Sequence, residues 1–409
     1  MRILFLSMYF APDTAANAVI MTELVEELSE LGHEITVVSA FPHYGTNKVW
    51  DEYKGKLFQS GRYGRARVFR TYLYVPKDKT GFAGRVLNYL SFNLFSTLLG
   101  LFSGKYDVIF APSPPLTIGL SAWLISRLKR VPYVYNVQDI YPDIAVRLGI
   151  LTNQKAIKAF QLLEKFVYKR AAAISVLSSG FQQNLLRKGV EPGKLAVIPN
   201  FVDVDFVRPL PKDNPFSCQQ GLHNKFTVMY AGNVGLSQGL ETVLEAADQL
   251  RDLENLVFLV VGNGAAKEAL ERQAGEMGLP NISFLPFQPR ECLPEMYASA
   301  DVSLVIIREG VANESVPSKT YTILASGRPV IAAIDPGSET WNLIEEAGCG
   351  ICIRPEDPTA LAWAVRELYN DAAARARYGE NGRCFVVKNY TRQKIAHQYH
   401  RLFTGLKSK

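Results

Sequence analysis

The stretch Glu314-Ser315-Val316-Pro317-Ser318-Lys319-Thr320-Tyr321-Thr322-Ile323-Leu324-Ala325-Ser326-Gly327-Arg328-Pro329-Val330-Ile331 carries the densest chemical signal in the chain. Pro317 and Ser318 read as helix start signals, with Ser318 as the N-cap, and Gly327 reads as a stop before a strand. A short helix is therefore expected to open in a loop at the carboxyl end of a strand read from Val302 to Ile307. Its free N–H groups and positive terminus suit an anion such as a diphosphate, and Lys319 adds a full positive charge. The plain alternative is a loop-to-helix junction with a solvated lysine. Two glycine-bearing turns follow strands in the same half, Gly232-Asn233-Val234-Gly235 and Gly262-Asn263-Gly264. Glycine lets a backbone approach a phosphate or a nucleobase closely, although such turns also carry it for purely steric reasons. Neither turn is G-x-G-x-x-G, because Lys267 stands where the third glycine belongs; this argues against a dehydrogenase.

In the other half, Gln138-Asp139-Ile140-Tyr141-Pro142-Asp143 follows a strand read from Val131 to Val137. Asp139 either orients a substrate hydroxyl or caps the next helix. Pro12-Asp13-Thr14-Ala15-Ala16-Asn17 fills the first strand-to-helix turn and is a second candidate site loop. The histidines at 33, 43, 223, 397 and 400 have no carboxylate or cysteine neighbours at metal-ligand spacing, and His33 reads as structural. Cys349-Gly350-Ile351-Cys352 has redox spacing but reads as a turn entering a buried strand. No Walker A loop and no Gly-x-Ser-x-Gly elbow is present.

The elements that must position these residues repeat one grammar twice. Ile3 to Leu6 reads as a strand, and Ile20, Leu24, Leu28 and Leu31 mark one face of a helix that Gly32 closes. Glu34 to Val38 is the next strand, so the chain opens on a βαβ unit with a right-handed crossover. Further buried strands are read at Val108 to Ala111, Ala173 to Leu177 and Leu195 to Ile198. After the proline-rich run from Arg208 to Pro215, the pattern restarts with Phe226 to Tyr230, a helical stripe from Leu240 to Leu250, and Leu256 to Val261. The expected fold is thus α/β, with two doubly wound domains whose ligands lie at the carboxyl ends of the strands and a cleft between them as the active site. Their boundaries are read as 1–207 and 208–384, with 385–409 a terminal segment whose helix packs back on the first domain.

Composition bounds the rest. The 409 residues are 48% hydrophobic, and a net charge of +6 from 45 basic and 39 acidic residues gives no electrostatic case for a nucleic-acid binder. Five scattered cysteines make no disulfide framework, and the N-terminus reads as a strand, not a secretory leader; a reducing cytoplasm is the expected setting. No run reaches the roughly 20 apolar residues of a membrane span. Two apolar stretches, Val86 to Phe102 and Leu116 to Leu128, have basic flanks that include Arg85, Lys105, Arg127, Lys129 and Arg130. They are either buried helices with solvated ends or a face that rests on anionic headgroups.

Further motifs occur in order: Gly32-His33-Glu34-Ile35-Thr36-Val37-Val38, Val197-Ile198-Pro199-Asn200-Phe201-Val202-Asp203 and Val260-Val261-Gly262-Asn263-Gly264. Ala325-Ser326-Gly327-Arg328-Pro329-Val330-Ile331, Ala347-Gly348-Cys349-Gly350-Ile351, Pro355-Glu356-Asp357 and Asn381-Gly382-Arg383 ahead of Tyr390 follow. In this order and spacing the chain resembles, over essentially its whole length, the retaining family 4 glycosyltransferases. The Asp139 region and Val316-Pro317-Ser318-Lys319 look like the branch that builds bacterial surface polysaccharides, including O-antigen N-acetylfucosaminyl and colanic-acid transferases.

The resemblance implies the GT-B architecture, two Rossmann-like domains facing a cleft. It also implies metal-independent transfer of a hexosyl or N-acetylhexosaminyl group from a nucleotide-sugar, a UDP-sugar by preference, with no cofactor. Glu314 would hold donor hydroxyls and steady positive charge, and Lys319 would neutralise the leaving diphosphate. Gly232, Gly262, Gly264, Ser318 and the Pro286-Phe287 loop would meet the donor. The family's second glutamate falls on Thr322, and its diphosphate-gripping Arg and Lys fall on Asn233 and Gln238, which leaves Arg308 as a further candidate cation. The acceptor, a lipid-linked or other glycan, would bind near Asn17 and Asp139, with the Lys77 to Arg130 stretch meeting the inner face of the plasma membrane. Alternative readings are a nucleotide-sugar 2-epimerase of similar architecture and a degenerate, non-catalytic homologue.

Overall fold

The computed structural model describes residues 1–44, 48–76, 82–312 and 316–407. It divides into two compact units, one comprising 1–200 with 392–409 and the other 201–391.

The first unit carries β1 (Arg2–Leu6), β2 (Glu34–Ala40), β3 (Phe58–Tyr63), β4 (Ala66–Thr71), β5 (Val108–Pro112), β6 (Tyr133–Val137), β7 (Ala173–Val176) and β8 (Leu195–Val197). Their order across the sheet is β3-β4-β2-β1-β5-β6-β7-β8. All neighbours are parallel except β3 and β4, an antiparallel edge hairpin that turns at Gly64 and that the sequence reading passed over. The central strands are apolar on both faces because helices cover both sides: Ile3, Leu4, Phe5 and Leu6 are each fully buried, as are Val108 to Ala111. The helix Ala16–Glu30 buries Ile20, Leu24 and Leu28 and ends at Gly32, whose φ of 83° supplies the left-handed turn. The apolar stretches flagged as membrane candidates form the helices Phe82–Phe102 and Ile118–Lys129.

The second unit carries β9 (Phe226–Ala231), β10 (Leu256–Val261), β11 (Ile282–Leu285), β12 (Val302–Ile306), β13 (Val330–Ala333) and β14 (Gly350–Ile353). They form an all-parallel sheet in the order β11-β10-β9-β12-β13-β14. In each sheet the order reverses once, between β1 and β5 and between β9 and β12. At such a switch point adjacent crossovers leave to opposite sides, and a crevice opens beyond the carboxyl ends of the strands.

The unit boundaries differ from those read in sequence. Phe201 to Val207 belong to the second unit because Arg383 donates to the carbonyls of Val204 and Val207, and the Val202 N–H donates to the Tyr390 carbonyl. The chain returns at Arg392, not near residue 385. The helix Arg392–Lys407 lies against Ala16–Glu30, where Arg392 pairs with Glu26 and Glu27 and Tyr399 and Phe403 reach Phe110.

Candidate functional site

At the switch point of the second sheet, β9 turns at Gly232 with φ 145°. Tyr230 is buried just before it, and its hydroxyl donates to the Asn233 carbonyl at 2.7 Å, which ties ring and turn together. The Nζ of Lys319 lies 3.6 Å from the centroid of that ring. The lysine stem runs along the glycine turn, so that a Cβ on Gly232 would stand 3.7 Å from Lys319 Cδ and 3.8 Å from Nζ. The residue keeps some exposed surface, but its ammonium nitrogen is buried and has no hydrogen-bond partner among the described residues. Burial lowers its pKa from 10.5 to about 7. The ring face offsets part of the desolvation, yet the ammonium donors remain unmet. An anionic oxygen would satisfy both the charge and the donors.

The structure thus rejects the solvated-lysine alternative, and it places the helix start where the sequence reads it. The helix is Lys319–Ala325, and Ser318 occupies the N-cap position without a side-chain capping bond. Gly327 closes the helix at φ 69°. Thr322 is partly buried on its first full turn. Glu314 lies outside the described residues.

The remaining predicted donor residues separate into two groups. Gly262 and Gly264 are required by a backbone contact: a Cβ at Gly262 would collide with the Gly232 carbonyl oxygen and one at Gly264 with that of Val234. The turns after β9 and β10 abut, so the steric explanation for these glycines holds. Lys267, the residue that broke the dinucleotide pattern, donates to the Gly262 and Leu285 carbonyls at 2.9 and 2.7 Å and joins the ends of β10 and β11. Pro286 and Phe287 follow β11 and are exposed, Phe287 by 52%. Gln238 accepts from the Gly235 N–H at 3.1 Å and so holds the β9 loop, while the Asn233 side chain is exposed. Arg308 is engaged differently from a phosphate binder. Its guanidinium takes both oxygens of Glu241 at 3.0 Å, Glu356 at 3.1 Å and the Leu236 carbonyl at 2.6 Å. Two carboxylates already neutralise it.

In the first unit the loops after β1, β2 and β6 and the last turn of strand β4 supply a second cluster. Asp13 is buried and accepts from the backbone N–H groups of Thr14 at 2.9 Å, His43 at 3.2 Å and Tyr44 at 3.4 Å. The His43 ring lies 3.8 Å from the same carboxylate, is held by the Phe41 carbonyl at 2.9 Å, and stacks on Tyr9 at 5.3 Å. Arg70 is buried beneath, bonded to the Ala11 carbonyl. Asn17 sits on the first turn of the helix Ala16–Glu30 with its Oδ1 buried and without a partner among the described residues. Burial pushes the Tyr9 phenol well above its ordinary range, with Tyr89, Asp13 and Tyr44 adding to it. Tyr89 is raised likewise by burial, offset by Arg85 and reinforced by Asp139, so Asp139 belongs to this cluster.

Gln138, the residue before Asp139, is held in a chain of buried amides. The Gln138 N–H bonds Ser113, the Gln138 side chain bridges Asn136 and Asn200, and Asn136 reaches Ser175 and Tyr399. Asp139 does not stand at the N-cap of the next helix. The next helix, Asp143–Arg147, has Pro142 at its N-cap and no side-chain cap. The Asp13–His43 pair was missed in sequence because its members are 30 residues apart; their positions just after β1 and β2 were the available signal. The C-x-x-C thiols are both free, and burial pushes each up to about 12, which removes them from redox chemistry near neutrality.

Two doubly wound parallel sheets in tandem define the GT-B class, and comparison with known proteins agrees. Residues 17–200 match the glycosyl transferase 4-like domain and residues 216–385 match glycosyl transferases group 1. The chain is 31% identical over 376 residues to a putative colanic acid biosynthesis glycosyl transferase, WcaI, of Escherichia coli K12, covering 90% of this chain and 92% of that protein. It is 28% identical over 277 residues to a probable glycosyltransferase, WbjE, of Pseudomonas aeruginosa, covering 67% and 69%. Among solved structures, sucrose-phosphate synthase from Thermosynechococcus elongatus superposes with a TM-score of 0.78 over 100% of both chains at 18% identity. Anabaena Alr3699/HepE in complex with UDP superposes at 0.73, covering 99% and 100%, at 17% identity. The chain belongs to the family 4 glycosyltransferases of GT-B architecture.

Proposed function

We propose that this glycosyltransferase moves a hexosyl or N-acetylhexosaminyl group from a nucleoside-diphosphate sugar, a UDP-sugar by preference, to a hydroxyl of a lipid-linked glycan in surface polysaccharide synthesis. The observation that carries the reading is the Lys319 ammonium, buried over Tyr230 without a hydrogen-bond partner among the described residues. Charge builds on the diphosphate as the sugar leaves. A fixed cation in a desolvated pocket opposes that charge at no cost in reorganisation, which is usually the largest catalytic contribution. Transfer proceeds with retention: the acceptor hydroxyl attacks from the leaving-group face, its oxygen forms the new bond to the anomeric carbon, and a diphosphate oxygen takes its proton. No metal is needed, and Glu314 holds donor hydroxyls.

The acceptor is assigned to the first unit, beside Asn17 and Asp139. WcaI is a putative colanic acid biosynthesis glycosyl transferase, and the HepE structure holds UDP, which supports this choice of pathway and nucleotide. No helix among the described residues is long and apolar enough to cross a membrane. A peripheral contact at the inner face of the plasma membrane is supported by one stripe on Phe82–Phe102. Leu87, Leu90, Leu94, Leu98 and Phe102 recur every three or four residues and are all exposed, Leu94 by 60% and Phe102 by 84%. The test is turnover: Lys319→Ala and Glu314→Gln should each lower it more than about tenfold, at least ~1.4 kcal/mol. Near-normal turnover in both folded variants would overturn the assignment. The Asp13–His43 pair favours one rival, since a 2-epimerase needs acid–base groups; donor incubated without acceptor should yield no epimer.

A further inference from the structure

The first unit contains an apolar recess of about 180 Å³ that none of the residues above explains. It opens between the start of the helix Phe82–Phe102, the Pro114–Thr117 turn that follows β5, and the helices Asp143–Arg147 and Gln154–Arg170. Val86, Leu116 and Leu148 form its walls. Its floor is a satellite cluster in which Ala145 and Leu151 are buried and Phe160 packs against them. Four polar side chains share the lining, Arg85, Tyr89, Thr117 and Tyr141, and the buried Thr117 hydroxyl has no hydrogen-bond partner among the described residues. The Arg85 guanidinium lies near enough to both phenols to offset part of the upward push that burial gives them. Tyr89 also feels Asp139 and Tyr9, so the polar side of the recess continues into the Asp13–His43–Asp139 cluster.

This arrangement suits a ligand with hydrocarbon at one end and an anion at the other. An apolar cavity of about 150 Å³ takes a benzene ring, so this volume admits about six carbons, a little more than one isoprene unit. A sugar or a nucleotide would leave its hydroxyls against Val86, Leu116 and Leu148 without partners. Leu87 and Leu90, next in sequence to the lining residues Val86 and Tyr89, are exposed on the same helix. We infer that the recess holds the phosphate-proximal isoprene unit of a polyprenyl-phosphate-linked acceptor, with Arg85 facing the phosphate and the glycan delivered toward Asp139. The inference deepens the acceptor reading given above and rests on it.

Geranyl phosphate, titrated into the full chain by calorimetry against inorganic phosphate and geraniol, tests it. Each methylene withdrawn from water is worth about fourfold in affinity, so geranyl phosphate should bind at least tenfold more tightly than either half alone. Val86→Trp, which fills the recess, should lose at least tenfold. Arg85→Gln should bring geranyl phosphate down to the affinity of geraniol. Val86→Ser is the second variant, since it trims the wall without adding bulk and should weaken geranyl phosphate by a smaller factor. UDP binding in the second unit serves as the folding control for all three. Geranyl phosphate binding that is absent, or unchanged in Val86→Trp and Val86→Ser with UDP binding intact, overturns the inference while leaving the donor reading standing. Geranyl phosphate binding that survives where the wild-type chain fails to bind UDP upholds the recess and refutes the donor reading. Displacement of geranyl phosphate by phosphatidylglycerol vesicles, with no preference for a single chain, would make the recess a bilayer contact and overturn the inference.

Discussion

Raising the pH should weaken nucleotide binding through a single side chain, Lys319. In the free protein burial holds its pKa at about 7, against 10.5 in an exposed lysine. A bound diphosphate requires the ammonium form, so binding above pH 7 must take up a proton. Affinity for UDP should then fall towards tenfold per pH unit, by up to about a hundredfold between pH 7 and 9, or ~2.7 kcal/mol at ~1.36 kcal/mol per unit. At pH 8 the free lysine is about nine-tenths neutral, so calorimetry in two buffers of different ionisation enthalpy should report close to one proton taken up per UDP. The window starts at pH 7 because a terminal phosphate itself titrates near pH 6. Lys319→Met keeps an apolar stem against Tyr230 and Gly232, and should bind UDP weakly with no pH dependence over this range. The same linkage sets a sign for stability. The unfolded chain keeps the lysine proton up to about 10.5 and the folded chain releases it near 7, so this residue makes the free protein more stable as pH rises between those values and less stable as pH falls through them. Affinity that is flat from pH 7 to 9 in the wild type, with no proton uptake, would refute the placement of the diphosphate on this ammonium.

Other perturbations follow from the packing. Gly262→Ala drives a Cβ into the Gly232 carbonyl at a φ of 146°, and should cost at least about 1–3 kcal/mol in urea denaturation, with UDP binding reduced because the β9 turn shifts. Gly275→Ala, on the helix Lys267–Glu276 where an added Cβ meets nothing within 4 Å, should be neutral or slightly stabilising and controls for the substitution itself. Leu90→Glu with Leu94→Glu should abolish flotation with anionic liposomes while changing the melting temperature little, since both leucines are exposed; flotation that persists would remove the membrane face.

Much of the fold was legible in the chain itself, because strand and helix obey different periods. The continuous apolar runs at Ile3 to Leu6 and Val108 to Ala111 mean burial on two faces, hence a parallel sheet between helix layers. Ile20, Leu24 and Leu28 one turn apart mean a helix lying on that sheet. The restart of this pattern at Phe226 announced the second unit, and the motif order announced the family. The β3–β4 hairpin was not legible, since β3 is an exposed edge with no apolar alternation to reveal it.

Side-chain fate required the tertiary structure. A lysine beside a proline and a serine has the same sequence whether water or a tyrosine ring surrounds its ammonium; only the approach of the Tyr230 end of β9 to the start of the helix Lys319–Ala325 buries it. Arg308 looked like a spare cation until Glu241 and Glu356, far from it along the chain, closed on it. Asp13 and His43 became a pair only because β1 and β2 are neighbours in the sheet, and the apolar recess exists only where three helices and a turn leave room. Periodicity depends on the near neighbours of each residue and is written locally. Burial, charge pairing and cavity shape depend on residues that meet across the fold, and no single segment contains them.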